Sequence, residues 1–141
     1  MECAIGLLAR REHSRKELGQ KLRARSFNTD CIDDVLDRLA TDGLQSDQRY
    51  TESYLRSRIH KGYGPVRLGM ELSERGIDKE MTNSCIDELD INWMETLNSV
   101  RVKKFGKNLP KDFKGQTKES RFLLYRGFTS EQIRKLYKGE D

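Results

Sequence analysis

Apolar residues recur along this chain at intervals of three and four, and no stretch alternates apolar with polar as a half-buried strand would. The spacing predicts helices almost throughout. The first is short, roughly Cys3 to Arg11, with Ala4, Ile5, Leu7 and Leu8 as its apolar side. Ser14-x-x-Glu17 has the form of a capping box and opens a second helix carrying Leu18 and Leu22 one turn apart. That helix should stop near Arg25-Ser26, with Phe27 folding back onto it. A third helix begins at Thr29 or Asp30, buries Ile32, Val35, Leu36 and Leu39, and ends at Gly43.

The same pattern then repeats. Asp47 is placed to cap a fourth helix whose inner side is Tyr50, Tyr54, Leu55 and Ile59; Gly62-Tyr63-Gly64-Pro65 breaks it. Pro65 suits the first turn of a fifth helix, where a missing N–H costs nothing. Leu68 and Leu72 lie fifty residues after Leu18 and Leu22, and Asp78 caps a sixth helix with Met81, Cys85, Ile86 and Leu89 inside. A seventh helix carries Trp93, Met94, Leu97, Val100 and Phe105 up to a break at Gly106 to Pro110. An eighth runs from about Phe113 or Lys114 to Tyr125, burying Phe122 and Leu123. Thr129-x-x-Gln132 caps the last, which buries Ile133, Leu136 and Tyr137 before the end frays from Lys138.

Three segments share one signature: Leu22-x-x-Arg25-Ser26-Phe27, Leu72-x-x-Arg75-Gly76-Ile77 and Leu123-x-x-Arg126-Gly127-Phe128. Ser26 replaces the glycine of the other two, at a cost of about 1 kcal/mol if the position needs φ > 0. The recurrent Arg is read as structural, offsetting the helix dipole and bonding the last carbonyls. The expected fold is all-α, three tandem three-helix repeats (1–46, 47–90 and 91–141) in an elongated, curved stack. No repeat has apolar surface enough to stand alone, so neighbours must share faces.

Composition supports that picture. Apolar and charged residues each make up 35% of the 141 residues, and mean hydropathy is −0.84. Such a chain is lean for one round core. The net charge of +4 is uneven: residues 91–141 hold twelve Lys and Arg against six Asp and Glu. An anionic partner, nucleic acid or acidic protein, is one reading of that excess, and a solubilising face is the other. Cys3, Cys31 and Cys85 form no CxxC pair; Cys31 and Cys85 read as small buried hydrophobes in a reducing compartment. No apolar run approaches the roughly 20 residues of a membrane span. A cytosolic protein is expected.

Catalytic patterns are missing. Neither His13 nor His60 has a Cys or carboxylate at ligand spacing, and no phosphate-cradling GK[ST] follows Gly62-Tyr63-Gly64. Asp30, Asp33, Asp34 and Asp37 read as a solvated helix face rather than a metal cluster. A binding module without cofactors remains. Two basic sets are its candidate contacts. Arg49, Arg56, Arg58, His60, Lys61 and Arg67 are interleaved with Tyr50, Tyr54 and Tyr63. Arg101, Lys103, Lys104, Lys107, Lys111, Lys114, Lys118 and Arg121 follow later. Cations for phosphates with aromatics for stacking suit non-specific nucleic-acid binding. Tyr50 and Tyr54 are at helical spacing and read as core, which leaves Tyr63 as the exposed aromatic. No single helix gathers the Arg, Asn and Gln of a sequence reader.

Several stretches resemble the RecX family, regulators of the RecA recombinase. They are His13-Ser14-x-x-Glu17-Leu18, Ser46-Asp47-Gln48-Arg49-Tyr50, Ser57-Arg58-x-x-Lys61-Gly62-Tyr63-Gly64-Pro65, Glu71-Leu72-x-x-x-Gly76-Ile77 and Arg121 to Phe128. Family members often begin with extra residues, so Met1-Glu2 reads as a late start or as the edge of a shortened piece. The resemblance implies three tandem three-helix repeats and a non-enzymatic cytoplasmic protein; a monomer is expected. It implies binding to the RecA nucleoprotein filament, with restraint of ATP hydrolysis, filament growth and strand exchange, which tempers recombination and the SOS response. Single- and double-stranded DNA are further partners through the basic faces. The alternative is a stand-alone basic DNA-binding protein acting by competition for DNA. The contacts expected are Arg49, Arg56, Arg58, Lys61, Tyr63, Arg67, Arg101, Lys103, Lys104, Lys107, Lys118 and Arg121.

Overall fold

The structure, a computed structural model, describes residues 1–25 and 28–139, the side chain of Thr29 apart. The expectations for Ser26, Phe27, Glu140 and Asp141 lie outside the described residues. Among those described, the chain forms nine helices. They are α1 (Glu2–Arg10), α2 (Arg15–Ala24), α3 (Thr29–Thr41), α4 (Asp47–His60), α5 (Pro65–Glu74), α6 (Lys79–Leu89), α7 (Trp93–Phe105), α8 (Phe113–Tyr125) and α9 (Ser130–Lys138). The 3.6-residue periodicity is thus realised in every segment.

Side-chain caps fix most of the starts. Ser14 and Glu17 close the expected capping box on α2, and Thr129 with Gln132 closes a second on α9. Asn28, Asp78, Asn92 and Asp112 each accept from a backbone N–H of the first turn that follows. Each such cap is worth about 1 kcal/mol. Asp47 is not the cap of α4. Ser46 Oγ takes the Arg49 N–H at 3.2 Å. Asp47 is the first helical residue, and its carboxylate accepts from the Arg15 backbone N–H and the Gln45 amide at 2.8 and 2.9 Å. It therefore ties the start of α4 to the start of α2.

The repeated Leu-x-x-Arg-Gly-apolar signature has a geometric explanation. At the end of α5, the Ile77 N–H bonds the Leu72 carbonyl and the Gly76 N–H bonds that of Ser73; Phe128 to Leu123 and Gly127 to Leu124 repeat the pattern after α8. These are Schellman terminations, with Leu and the closing apolar residue brought together and Gly at positive φ between them. Leu72, Ile77, Leu123 and Phe128 are all buried. The recurrent arginines do less uniform work than their spacing suggests. Arg25 reaches Cys3 Sγ, Arg75 stands over the Tyr54 ring, and Arg126 donates to the Lys61 carbonyl, at the end of α4 rather than of its own helix.

Packing divides the chain into two compact units, Met1–Tyr54 with Leu72–Glu88, and Leu55–Glu71 with Leu89–Asp141. The division passes through α4 and α5, so the middle helices serve both. In the first unit Ala4, Leu7, Leu18, Leu22, Ile32, Leu36 and Leu39 form one core. The first helix starts one residue earlier than its periodicity suggests, and Ile5 is 43% exposed, so Ala4 and Leu7 are its buried residues, with Cys3 and Leu8 packed partly buried beside them. Cys31 is exposed, contrary to expectation, while Cys85 is buried and its thiol is pushed up by burial. In the second unit Leu97, Leu123, Phe128 and Ile133 form the core, with Trp93, Met94, Val100, Phe122, Leu136 and Tyr137 packed around it.

His13 is buried in the first unit. Its Nε2 faces Lys21 Nζ at 2.9 Å and its Nδ1 faces the Arg11 carbonyl at 3.0 Å. An ammonium can only donate, so Nε2 is the acceptor and Nδ1 carries the proton. Burial holds the imidazole below its ordinary 6.5, and the charges of Arg11 and Lys21 act the same way. The unfolded chain therefore takes up this proton first. The His13 contribution is full above about pH 6.5 and is lost as pH falls below it. The urea midpoint of the wild type is expected to fall from pH 7.5 to pH 5.5 more than that of His13→Gln. Parallel curves for the two proteins would contradict this assignment.

Candidate partner and nucleic-acid interface

Charge separates along the packing division. The second unit holds sixteen Lys and Arg against eight Asp and Glu, and the first holds eleven against fifteen. The excess that the sequence placed in the last third is therefore joined by Arg56, Arg58, Lys61 and Arg67 from the middle of the chain.

At the centre of the second unit lies the Gly62-Tyr63-Gly64-Pro65 segment. The Gly64 N–H donates to the Arg126 carbonyl at 2.8 Å and the Val66 N–H to the Gly127 carbonyl at 2.9 Å. The segment is thus stitched, backbone to backbone, onto the end of α8. Three guanidinium groups gather on Tyr63, with Arg58, Arg67 and Arg126 at 3.9, 4.6 and 4.7 Å from the ring centre. Glu71 answers part of that charge. Arg58 donates Nε and Nη2 to its two carboxylate oxygens at 3.1 and 2.8 Å, and Arg67 Nε shares one oxygen at 3.1 Å. Three cations meet one anion and one aromatic face, so the cluster keeps a positive charge. Arg58 and Glu71 are largely withdrawn from solvent. Such contacts shape the turn, and their charge is felt outside it.

Exposed cations lie beside this cluster. Lys61 and Lys103, with His60, line an open cleft of about 430 Å³ floored by Ile59, Gly62 and Val100, with Glu95, Thr96 and Ser99 on its wall. Lys104 is exposed and stands 5.4 Å from the Phe122 ring, and Arg56 and Lys107 are exposed as well. Lys118 and Arg121 line a separate groove on α8. Arg49 belongs to the first unit, where its Nε donates to Glu12 at 2.8 Å.

Arg101 departs from expectation. It is 1% exposed, and its guanidinium donates to Glu119 at 3.0 Å and to the Gly106 and Lys107 carbonyls at 2.9 and 3.2 Å. A side chain so placed holds the α7–α8 loop and meets no partner. Its Nε is the one buried side-chain polar atom without a hydrogen bond among the described residues. Arg58 and Arg67 are engaged by Glu71 and the Tyr63 ring, so the outward cations are Lys61, Lys103, Lys104, Lys107, Lys118 and Arg121. Two residues escaped sequence reasoning. Glu71 gave no signal beyond its i+4 spacing from Arg67. Phe113 read as the first residue of a helix, yet it is 83% exposed.

Models of the first, second and third three-helix domains of RecX match residues 1–39, 46–84 and 90–136. The chain belongs to the RecX family. It is 44% identical over 138 residues to the regulatory protein RecX of Pseudomonas entomophila, covering 98% of this chain and 89% of that one. It is 43% identical to the regulatory protein RecX of Pseudomonas putida, covering 98% and 88%. A crystal structure of RecX from Lactobacillus salivarius superposes with a TM-score of 0.81 at 24% identity, over 97% of this chain and 91% of that one. Membership establishes a RecX-type regulatory protein and the three-helix domains from which it is built. The packing units cut across the second of these domains. Among the described residues no helix is long and apolar enough to cross a membrane.

Proposed function

We propose that this protein binds the RecA filament on DNA and restrains it without catalysis, slowing ATP hydrolysis, filament growth and strand exchange. Recombination and the SOS response are tempered in consequence. Membership of the RecX family supports this reading, and one structural observation gives it a surface. The second unit concentrates positive charge around the Tyr63 turn, with Lys61 and Lys103 open to solvent in one cleft. That surface faces DNA phosphate or acidic protein in the filament, in the cytoplasm, and the chain acts as a monomer. Residues 1–46, 47–90 and 91–141 are its three repeats.

The test is inhibition of the DNA-dependent ATPase of RecA. Charge reversal at Lys61 and Lys103 together is expected to raise the concentration needed for half-inhibition by about tenfold, a loss of about 1.4 kcal/mol. Arg58 is unsuitable for this purpose, since its reversal would place two carboxylates together at Glu71. Full inhibition by a folded Lys61→Glu, Lys103→Glu protein would reject this cleft as the contact.

The net charge of the second unit also favours the competing reading, direct competition for DNA. Salt separates the two. Affinity carried by phosphates alone falls by orders of magnitude between about 50 and 200 mM salt. Bare single-stranded DNA bound as tightly as the filament at moderate salt would favour competition.

A further inference from the structure

The most exposed large apolar side chain of the second unit is Phe113, at the first position of α8. Its placement is fixed rather than frayed. Asp112 Oδ1 accepts the Gly115 N–H at 2.8 Å, and Thr117 Oγ1 donates to the Phe113 carbonyl at 2.9 Å. The helix start is therefore ordered, and the ring projects from it without covering any core. Phe113 borders an open groove of about 780 Å³ that is also lined by Lys114, Thr117, Lys118 and Arg121. Lys114, Lys118 and Arg121 are at i, i+4 and i+7, so they form one row along the helix. Among the described residues, none of the three has a carboxylate within salt-bridge distance. The one acid on the groove, Asp112, is spent on the cap.

We infer that Phe113 is a base-stacking platform for single-stranded nucleic acid, with Lys114, Lys118 and Arg121 as the row that follows its phosphates. The inference rests on the reading that the cationic second unit meets DNA, and it adds a place and a strand preference. A flat aromatic face accepts any base, and a cation row accepts any backbone. Paired bases are stacked on one another and present no free face, so duplex gains only the phosphate contacts. An apolar protein partner would leave three cations unpaired at its edge, which disfavours it at this groove.

Anisotropy of a labelled oligothymidylate, an abasic oligonucleotide of equal length and a duplex tests this at one fixed salt concentration. The wild type is expected to bind the base-bearing strand about tenfold more tightly than the abasic one, the scale of a single stacked base. Phe113→Ala should erase that difference and leave abasic binding unchanged, while Phe113→Trp should keep it. Lys118→Glu with Arg121→Glu should weaken both strands and flatten the salt slope. Trp93 fluorescence shows that each variant is folded. Equal binding of base-bearing and abasic strands by the wild type overturns the stacking platform but leaves the phosphate reading intact. A wild type that binds no oligonucleotide yet inhibits the RecA ATPase overturns the DNA contact altogether. Loss of ATPase inhibition by Phe113→Ala with oligonucleotide binding unchanged assigns the ring to a protein contact and overturns the proposal.

Discussion

Replacing Glu119 by alanine is expected to destabilise the protein by about 3–5 kcal/mol, a large part of the stability of a domain this size. Glu119 is 7% exposed and accepts two hydrogen bonds, from Arg101 at 3.0 Å and from the Tyr137 hydroxyl at 2.7 Å. Without it the Arg101 guanidinium, 1% exposed, keeps its charge with only backbone carbonyls for company. A buried cation without its counter-ion is the expensive case, because water cannot reach it and no carboxylate replaces water. The Tyr137 hydroxyl loses its acceptor in the same step, and burial with the Glu119 bond already holds that phenol well above its ordinary range. Trp93 is the single tryptophan and packs against the core of this unit, so its fluorescence in urea reports the effect. Glu119→Gln keeps an acceptor for both donors and should lose less. Arg101→Met combined with Glu119→Leu should recover much of the loss, since it removes both charges together. A loss below about 1 kcal/mol in Glu119→Ala would mean that water reaches the guanidinium.

That pair also shows where sequence reasoning stops. Helix positions were legible because each apolar stripe keeps a period of 3.6, and the caps because Ser14, Thr129 and Asp78 stand at fixed offsets from it. The Leu-x-x-Arg-Gly-apolar signature was legible as a repeat, and its glycines as helix ends. Arg101 was not legible as an interior residue. In sequence it is one cation among eight in a basic stretch, and only Glu119, eighteen residues away and brought opposite by the α7–α8 turn, marks it as buried. Phe105 and Phe122 pack edge to face across the same turn, at 5.5 Å between ring centres. Arg58 and Arg67 failed in the same way. Both look like surface charges on a helix, yet the turn delivers Tyr63 and Glu71 to them. Phe113 was legible only as a helix start; nothing in the sequence marked its ring as exposed, and the fold shows it 83% so. The pattern of apolar positions thus fixes which helices form. Which cations face outward depends on contacts between residues far apart in sequence, and those carry no periodic signal.

The seam between the Tyr63 turn and the end of α8 should be the second point of greatest sensitivity. A Cβ added at Gly64 would lie 2.5 Å from the carbonyl carbon and oxygen of Gly127 and from the Phe128 nitrogen. All three are backbone atoms, so no rotamer change relieves the clash and the two segments must part. Parting breaks the Gly64 to Arg126 and Val66 to Gly127 hydrogen bonds. Overpacking of about 1–3 kcal/mol and two bonds of about 1 kcal/mol each give an expected loss of about 3–5 kcal/mol for Gly64→Ala. Gly127→Ala meets the seam from the other side. Its φ is +100°, where a side chain is strained, and its Cβ would strike the Arg67 backbone and Cβ. Its expected loss is similar. Both variants also loosen the three guanidinium groups held on Tyr63, so residual folded protein should inhibit RecA more weakly than its concentration predicts. Gly69→Ala is the control, because nothing lies within 4 Å of the added carbon and the residue is helical, so it should be neutral or slightly stabilising. Urea unfolding followed by Trp93 fluorescence ranks the three, and a Gly64→Ala protein as stable as Gly69→Ala would show that the turn does not dock on α8.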